Sequence, residues 1–298
     1  MKILITGGAG YLGCVLTEQL LHQGHSIVCF DNLSFGHSFV NKFTLNDKFR
    51  LVIGDITNKE DLSSVINSCD IIIHLAGIVG YPQCSKEPDL AQKVNIDGSK
   101  FIIELAKKSI PVIFCSTGSV YGNAASVCYE NSTANPLTLY SQHKLEGEKL
   151  FLERGNTVIF RLATVYGISS KMRSDLLINN FVKEAVTKKY LEVYEKEYAR
   201  TFINVRDAAG AFVFTLCNLD KMNSEIYNIG SNDLNYSKEE ICNMIKRKTQ
   251  ATIIYNEFDK DQDQRNYIVN YDKISKAGYQ IKNTLDQDLE DLIKYYYV

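Results

Sequence analysis

The opening of the chain, Met1 to Gly13, reads MKILITGGAGYLG and limits what can follow it. The apolar run Ile3-Leu4-Ile5 passes without a break into a turn carrying Gly7, Gly8, Gly10 and Gly13, and a helix-forming segment, Cys14 to His22, follows at once. Strand, glycine turn and helix in this order make a phosphate cradle. Without side chains the turn lets backbone N–H groups approach an anion closely, and the helix N-terminus adds its partial positive charge. The spacing G-x-x-G-x-x-G is shared by many loops, so its meaning depends on what the rest of the chain builds around it.

The rest repeats the same rhythm. Apolar runs fall at Ser26 to Phe30, Phe49 to Ile53, Ile71 to Leu75, Val112 to Ser116 and Val158 to Leu162. Helical segments separate them at Lys59–Ser68, Asp89–Lys108 and Leu139–Arg154. The runs are continuous rather than alternating, as strands covered on both faces require. The expectation is an α/β fold, a Rossmann-type doubly wound parallel sheet. Beyond about Tyr166 the rhythm breaks. Helices are expected over Asp175–Lys189, Asp207–Leu219, Ser237–Lys248 and Leu285–Tyr297, and strands over Leu191–Tyr194, Arg200–Val205 and Ile226–Gly230. The expected division is a dinucleotide-binding domain over 1–165, to which 205–230 returns, and a small intercalated α/β substrate lobe from 166–204 and 231–298.

The second run ends in Asp31, about twenty residues past the glycine turn, where an acid meets the adenosine ribose of a dinucleotide. A carboxylate there repels a 2′-phosphate and no Arg stands beside it, so NAD is expected rather than NADP. Asp55, after the third run, is open to two readings: an adenine contact, or a cap for the helix that follows Asn58.

Tyr140 and Lys144 are four residues apart on an expected helix, hence on one face of it. An ammonium beside a phenol favours the phenolate and lowers its pKa toward neutrality, which makes the tyrosine a usable base; the positive charge of an oxidised nicotinamide acts the same way. With 18 tyrosines in the chain the pair alone says little. Ser116-Thr117, at the end of a preceding strand and so at the ligand crevice of an open parallel sheet, adds a hydroxyl that can orient a substrate alcohol.

With these elements in order, the chain resembles the extended short-chain dehydrogenase/reductases, the NAD-dependent nucleotide-sugar epimerases and dehydratases. The resemblance runs nearly the full length: the glycine turn, Asp31-Asn32-Leu33-Ser34, His74-Leu75-Ala76-Gly77, Asn95-Ile96-Asp97-Gly98, Ser116 to Gly122, Tyr140 to Lys144, Arg161 to Gly167, Arg200 to Asp207, Tyr227 to Gly230 and Asp263-x-Arg265. It implies that Tyr140 takes a proton from a sugar hydroxyl, that Lys144 lowers its pKa and holds the nicotinamide ribose, and that Thr117 hydrogen-bonds the reacting oxygen. It implies cofactor contacts from Gly7, Gly10, Tyr11, Leu12, Gly13, Asp31, Asn32, Ser34, Asp55, Ile56, Leu75, Ala76, Gly77, Asn95 and Val165. Substrate contacts are implied for Arg173, Asn179, Asn180, Val193, Arg200 and Arg265, the arginines suiting a diphosphate through their forked donors.

Departures from the family pattern narrow the reaction. The dehydratases follow the Thr with an acid pair, and here those positions are Gly118 and Ser119; Val79 stands where galactose epimerases carry Lys, and Thr164 where an Asn is common. The implied chemistry is reversible hydride transfer at a sugar carbon, C4 first, without dehydration. The stretch Gly167 to Phe181 resembles a subgroup acting on surface-polysaccharide sugars, the GDP-manno-heptose 4-dehydrogenases, which favours a GDP-sugar. A nucleotide-sugar 4-epimerase uses the same residues, and an inactive NAD-binding scaffold or sensor is a third reading.

Composition excludes other classes. A net charge of -2, with acids and bases interspersed, offers no nucleic-acid or membrane-surface patch. The eight cysteines are scattered without a C-x-x-C, which suits buried thiols in a reducing compartment and no metal site. No apolar run reaches membrane-span length and Met1 to Ile5 is itself the first strand, so a cytoplasmic protein is expected. Apolar residues of the helices at 89–108 and 139–154, including Phe101, Ile102, Leu105, Leu145 and Phe151, fall where relatives dimerise, and a homodimer is expected.

Overall fold

The computed structural model describes residues 1–37, 40–256 and 265–297. Its centre is a parallel sheet of seven strands among the described residues: β1 (Lys2–Thr6), β2 (Ser26–Asp31), β3 (Phe49–Ile53), β4 (Ile71–His74), β5 (Val112–Thr117), β6 (Thr157–Leu162) and, later in the chain, Ile226–Ile229. Spatially they run from the Ile226–Ile229 strand through β6, β5, β4, β1 and β2 to β3. Strand order reverses between β1 and β4, which are paired with Ile3 opposite Ile71. The crevice beyond the carboxyl ends of those two strands is the ligand position of a doubly wound sheet.

Alternation along β1 shows why both faces are covered. Ile3 and Ile5 enter one core with Leu16 and Phe212, while Leu4 enters the other with Leu62, Ile102 and Phe151. All of these are fully buried, each worth about 1.5–3 kcal/mol of apolar transfer. β3 departs from the expectation of two covered faces: it is the sheet edge, and Ile53 is 69% exposed.

The helices of the first half are α1 (Tyr11–His22), α2 (Lys59–Ile66), α3 (Tyr81–Lys86), α4 (Pro88–Gln92), α5 (Gly98–Leu105) and α6 (Leu139–Arg154). The single helix expected over Asp89–Lys108 is interrupted: Lys93–Asp97 form a π-helical turn between α4 and α5. Such turns re-aim side chains locally, and this one carries Asn95.

The remaining strands are β7 (Thr164–Tyr166), β8 (Tyr190–Tyr194), β9 (Ala199–Asn204), β10 (Ile226–Ile229, already placed in the main sheet), β11 (Asn235–Ser237) and β12 (Thr252–Asn256). β11, β9 and β7 form one small sheet, β12 and β8 another. They surround a separate core containing Ile178, Val182, Leu191, Ile241 and Leu289. Its helices are α7 (Leu177–Thr187), α10 (Lys238–Thr249) and α12 (Leu285–Tyr297); α8 (Val205–Leu216), α9 (Leu219–Met222) and α11 (Asp272–Lys276) belong elsewhere. Ser237 caps α10, accepting from the Glu240 N–H while Glu240 accepts from the Ser237 N–H, a reciprocal box. α8 returns to the main sheet, placing Ala208, Ala211 and Phe212 in the core with α1. Tyr267, Val269, Tyr271 and Ile274 join that same core rather than the lobe's. Among the described residues no helix is long and apolar enough to cross a membrane.

Candidate active site

The glycine turn is built as the cradle requires. Gly7 has φ +73°, and a Cβ there would lie 2.6 Å from the Ala76 nitrogen; a Cβ on Gly13 would lie 2.5 Å from the Gly7 carbonyl oxygen. Both positions exclude any side chain. At Gly10 a Cβ would meet only that same carbonyl, at 3.2 Å. Gly10 caps α1 without a side-chain acceptor, and the first turn carries no acid, so its outward N–H groups keep their capacity for an anion. Asp31 closes the other side. Its carboxylate accepts the Ala9 N–H at 3.0 Å and the Leu33 N–H at 2.9 Å, which fixes it at the mouth of the turn. These residues fit a dinucleotide without a 2′-phosphate.

Asp55 resolves against the cap reading, because Asn58 caps α2 by accepting from Glu60 and Asp61. Asp55 accepts instead from the Thr57 N–H (2.8 Å), the Thr57 hydroxyl (2.7 Å) and Asn32 Nδ2 (3.1 Å). Burial works to raise its pKa, yet these hydrogen bonds outweigh it and hold the carboxyl below its ordinary value. Exposed Asn32 also accepts from Ser34. Ile56 turns inward and packs beneath Gly98, where a Cβ would lie 2.9 Å from it.

At the end of β4, His74 is buried and hydrogen-bonded to Thr6 Oγ1 (2.7 Å) and Ser99 Oγ (3.2 Å). Burial, with the nearby Lys144 charge, depresses its pKa to about 3, so it is neutral. Leu75, Ala76 and Gly77 follow, half-buried at the crevice. Asn95 is tied to the backbone of Ile78, accepting its N–H at 2.8 Å and donating to its carbonyl at 3.0 Å. Its amide therefore braces the Gly77–Ile78 loop at the crevice.

α6 brings Tyr140 and Lys144 to β5. Thr138 caps it in a box with Ser141. Lys144, buried, donates to the Cys115 carbonyl at 2.8 Å. Thr117 ends β5; its hydroxyl accepts the Ser119 N–H at 3.1 Å and donates to Ser119 Oγ at 3.0 Å. Tyr140 is half-buried one turn before Lys144. Here the electrostatics differ from expectation. Burial pushes the Tyr140 phenol above its ordinary value, helped by the Cys115 and Cys84 thiols and opposed only in part by Arg265 and Arg173. Lys144 gives one of its three donors to the strand carbonyl, and burial lowers its own pKa. The lowering of the phenol thus requires more charge than the lysine brings, and a bound oxidised nicotinamide is cationic.

The lobe residues divide. Arg173 is held by Asp175 through Nε (2.8 Å) and Nη2 (2.5 Å), and its charge acts on the phenols of both Tyr11 and Tyr140. Arg265 Nη1 donates to Ser119 Oγ; Asp263 lies outside the described residues. Arg200 is buried on β9 opposite Tyr236. Asn180 is half-exposed on α7. Two of the residues expected at the substrate are engaged within the lobe. Asn179 is fully buried and accepts the Gly167 N–H (2.9 Å) while donating to the Arg173 carbonyl (3.0 Å), because α7 turns it inward to satisfy that loop. Val193 has its side chain in the lobe core and its backbone in register with Tyr255 of β12. Val165, on β7, pairs with Ile203, and Leu12 packs against the main core. Tyr11 donates to the Gly167 carbonyl at 2.6 Å, and Ser169 donates to the Tyr11 carbonyl at 2.7 Å, so the segment after β7 is tied to the glycine turn.

One group escaped the sequence reading. Glu148, buried one turn beyond Lys144, accepts from Ser116 Oγ (2.5 Å), Arg161 Nη2 (2.7 Å) and Arg161 Nε (3.0 Å). Arg161 Nη1 also donates to Tyr121 Oη (3.0 Å), whose hydroxyl donates to Asn228 Oδ1 (2.7 Å). The only sequence signal was the four-residue repeat of polar side chains on α6: Tyr140, Lys144, Glu148.

A parallel sheet reversing at a glycine cradle, with an acid at the second strand and Tyr, Lys and Thr at the crevice, defines a Rossmann-type dinucleotide-binding protein. Residues 3–230 match the model of the NAD dependent epimerase/dehydratase family, and the chain belongs to that family. It is 31% identical to a UDP-N-acetyl-alpha-D-glucosaminuronate decarboxylase of Bacillus cytotoxicus, over 87% of this chain and 84% of that one. It is 26% identical to a CDP-paratose 2-epimerase of Salmonella typhi, over 93% of each. Among solved structures, a UDP-glucuronic acid 4-epimerase from Bacillus cereus, in complex with UDP-glucuronic acid and NAD, superposes with a TM-score of 0.86 at 27% identity, over 100% of this chain and 99% of that one. NAD, the cofactor expected from Asp31, is the cofactor of this family.

Proposed function

We propose that the protein oxidises the C4 hydroxyl of a nucleotide-activated sugar to the 4-keto sugar, without dehydration. The bound nicotinamide would supply the hydride acceptor. Gly7, Gly10, Gly13 and the α1 N-terminus would hold its pyrophosphate, Asp31 its ribose, and Lys144 the nicotinamide end. Tyr140 would take the hydroxyl proton and Thr117 would orient the reacting oxygen. Arg173, Asn180, Arg200 and Arg265 would hold the sugar nucleotide, beside a substrate lobe whose core includes Ile178, Leu191, Ile241 and Leu289.

The observation that carries the reading is the turn after Thr117. Dehydration needs an acid and a base at that turn, and Gly118 and Ser119 supply neither. The position is also tight: a Cβ on Gly118 would lie 3.3 Å from the Leu162 carbonyl oxygen, close enough to need a small shift, and in ordinary contact with the Tyr267 ring at 3.4 Å. The resemblance of Gly167 to Phe181 to the GDP-manno-heptose 4-dehydrogenases supports a GDP-linked heptose or hexose of surface-polysaccharide synthesis. A 4-epimerase is the second reading, favoured by the names of curated relatives such as a UDP-glucose 4-epimerase of Lacticaseibacillus casei, 27% identical. The outer faces of α5 and α6, with Leu152 39% exposed, are proposed to pair two copies.

The test is incubation with GDP-, UDP-, CDP- and dTDP-sugars, following products by NMR together with the redox state of the nicotinamide. A 4-keto product with stoichiometric NADH supports the dehydrogenase. A C4 epimer without net NADH selects the epimerase, and a dehydrated 6-deoxy product overturns both.

A further inference from the structure

Three residues spaced by four on α6 face the end of β5: Tyr140, Lys144 and Glu148. Lys144 engages the Cys115 carbonyl and Glu148 the Ser116 hydroxyl, on the two residues that precede Thr117. We propose that Glu148 is a positioning residue for Lys144: through its buried pair with Arg161 it holds α6 in register on β5, so that Lys144 and Tyr140 are presented together beside Thr117. The inference rests on the reading that Lys144 and Tyr140 serve the cofactor and the sugar.

The pair is a poor device for stability alone. Desolvating two charges costs several kcal/mol per ion, and well-packed apolar side chains of similar volume often serve as well or better. What an apolar pair cannot supply is direction. The carboxylate accepts from β5 through Ser116 and from β6 through both Nε and Nη2 of Arg161, and Arg161 continues to Tyr121 and to the Glu130 carbonyl at 3.1 Å. A rotation of α6 by a fraction of a turn breaks several of these bonds together.

Charge adds a second reason. The groups facing Lys144 are Cys115 on β5, Cys84 on α3, His74 on β4, and His143 and Glu148 on α6 itself. Burial pushes the lysine down; both thiols are themselves pushed up, Cys84 to about 11, and are neutral near pH 7. His74 is neutral. Glu148 is the one carboxylate among these groups and acts to raise the lysine's pKa against burial, with Arg161 balancing part of its charge.

The experiment uses full-length protein labelled at lysine Cε, with the Lys144 resonance assigned by Lys144→Met, and titrates it by NMR while NADH affinity is read by nicotinamide fluorescence. In Glu148→Gln the Lys144 midpoint is expected to fall by about one pH unit or more, and NADH to bind at least several-fold more weakly. Should that variant fail to fold, Glu148→Met/Arg161→Met leaves no buried charge unpaired; its Lys144 midpoint is expected to move little, because both charges go together, while NADH binding weakens as in Glu148→Gln. An unchanged midpoint and unchanged NADH affinity in either folded variant overturn the proposal; so does loss of the fold in both, which makes the pair structural. If Lys144→Met binds NADH as the wild type does, the cofactor role of Lys144 fails, while the titration still reports on Glu148.

Discussion

Lys144 donates its ammonium hydrogen to the Cys115 carbonyl at 2.8 Å, two residues before Thr117 on the same strand. That bond joins the helix carrying the proposed base to the strand carrying the proposed orienting hydroxyl. Burial works against the charge of both side chains, raising the phenol and lowering the lysine.

Replacing Tyr140 by Phe removes the proton acceptor and leaves the ring. Hydride transfer is expected to fall by about 10²–10⁴-fold, with NADH affinity retained within a few-fold. Stopped-flow detection of NADH formation alongside a binding titration checks both halves, and full turnover in the variant would sink the catalytic role.

Asp31→Asn keeps the shape of the side chain and removes its charge. Loss of a charge-assisted hydrogen bond is worth about 1.5–3 kcal/mol, so NAD affinity is expected to fall by roughly ten- to a hundredfold. Calorimetric titration with NAD and NADP measures the change in each. A variant that still rejects NADP as strongly as the wild type would place the selectivity elsewhere.

Asn179 and Asn180 are expected to separate. Asn179→Ala leaves the Gly167 N–H and the Arg173 carbonyl without their partner and should lower stability by about 1–3 kcal/mol. Asn180→Ala should leave the urea midpoint nearly unchanged and raise the KM for the sugar nucleotide. Denaturation curves and steady-state kinetics on the two variants decide, and the reverse pattern would place the substrate contact at Asn179.

His74 makes stability depend on pH. Its folded pKa of about 3 lies below the unfolded value of 6.5, so the unfolded chain binds the extra proton as pH falls. Its contribution is fully present above 6.5 and is lost progressively toward pH 3, at about 1.4 kcal/mol per pH unit. Burial depresses His143 and His25 in the same direction. Urea midpoints at pH 7 and pH 5 are expected to differ less in His74→Gln than in the wild type, and an equal difference would remove His74 as a cause.

Gly13→Ala places a Cβ at 2.5 Å from the Gly7 carbonyl oxygen. Backbone must shift to accept it, and the expected result is a destabilisation of about 1–3 kcal/mol together with loss of NADH binding. A thermal melt and a fluorescence titration test this. Normal binding in a destabilised protein would show that the cradle tolerates the shift.

The sequence by itself determined the sheet, the cradle and the family. Continuous apolar runs alternating with helical segments leave few alternatives to a parallel sheet, and Gly7, Gly13 and Asp31 stand where local backbone geometry demands them. Lys144 and Tyr140 were legible because four-residue spacing on a helix is a local rule. Tertiary structure decided what local rules do not reach. Asn179 and Asn180 are neighbours in sequence, and only the packing of α7 turns one into the loop and leaves the other half-exposed. Asn95 depends on a π-helical turn that shifts its side chain toward Ile78. Glu148 pairs with an arginine on a different element, and no periodicity announces a buried charge whose partner sits on the following strand, β6. The state of Tyr140 was decided there too, since its pKa is set by burial and by the sum of surrounding charges.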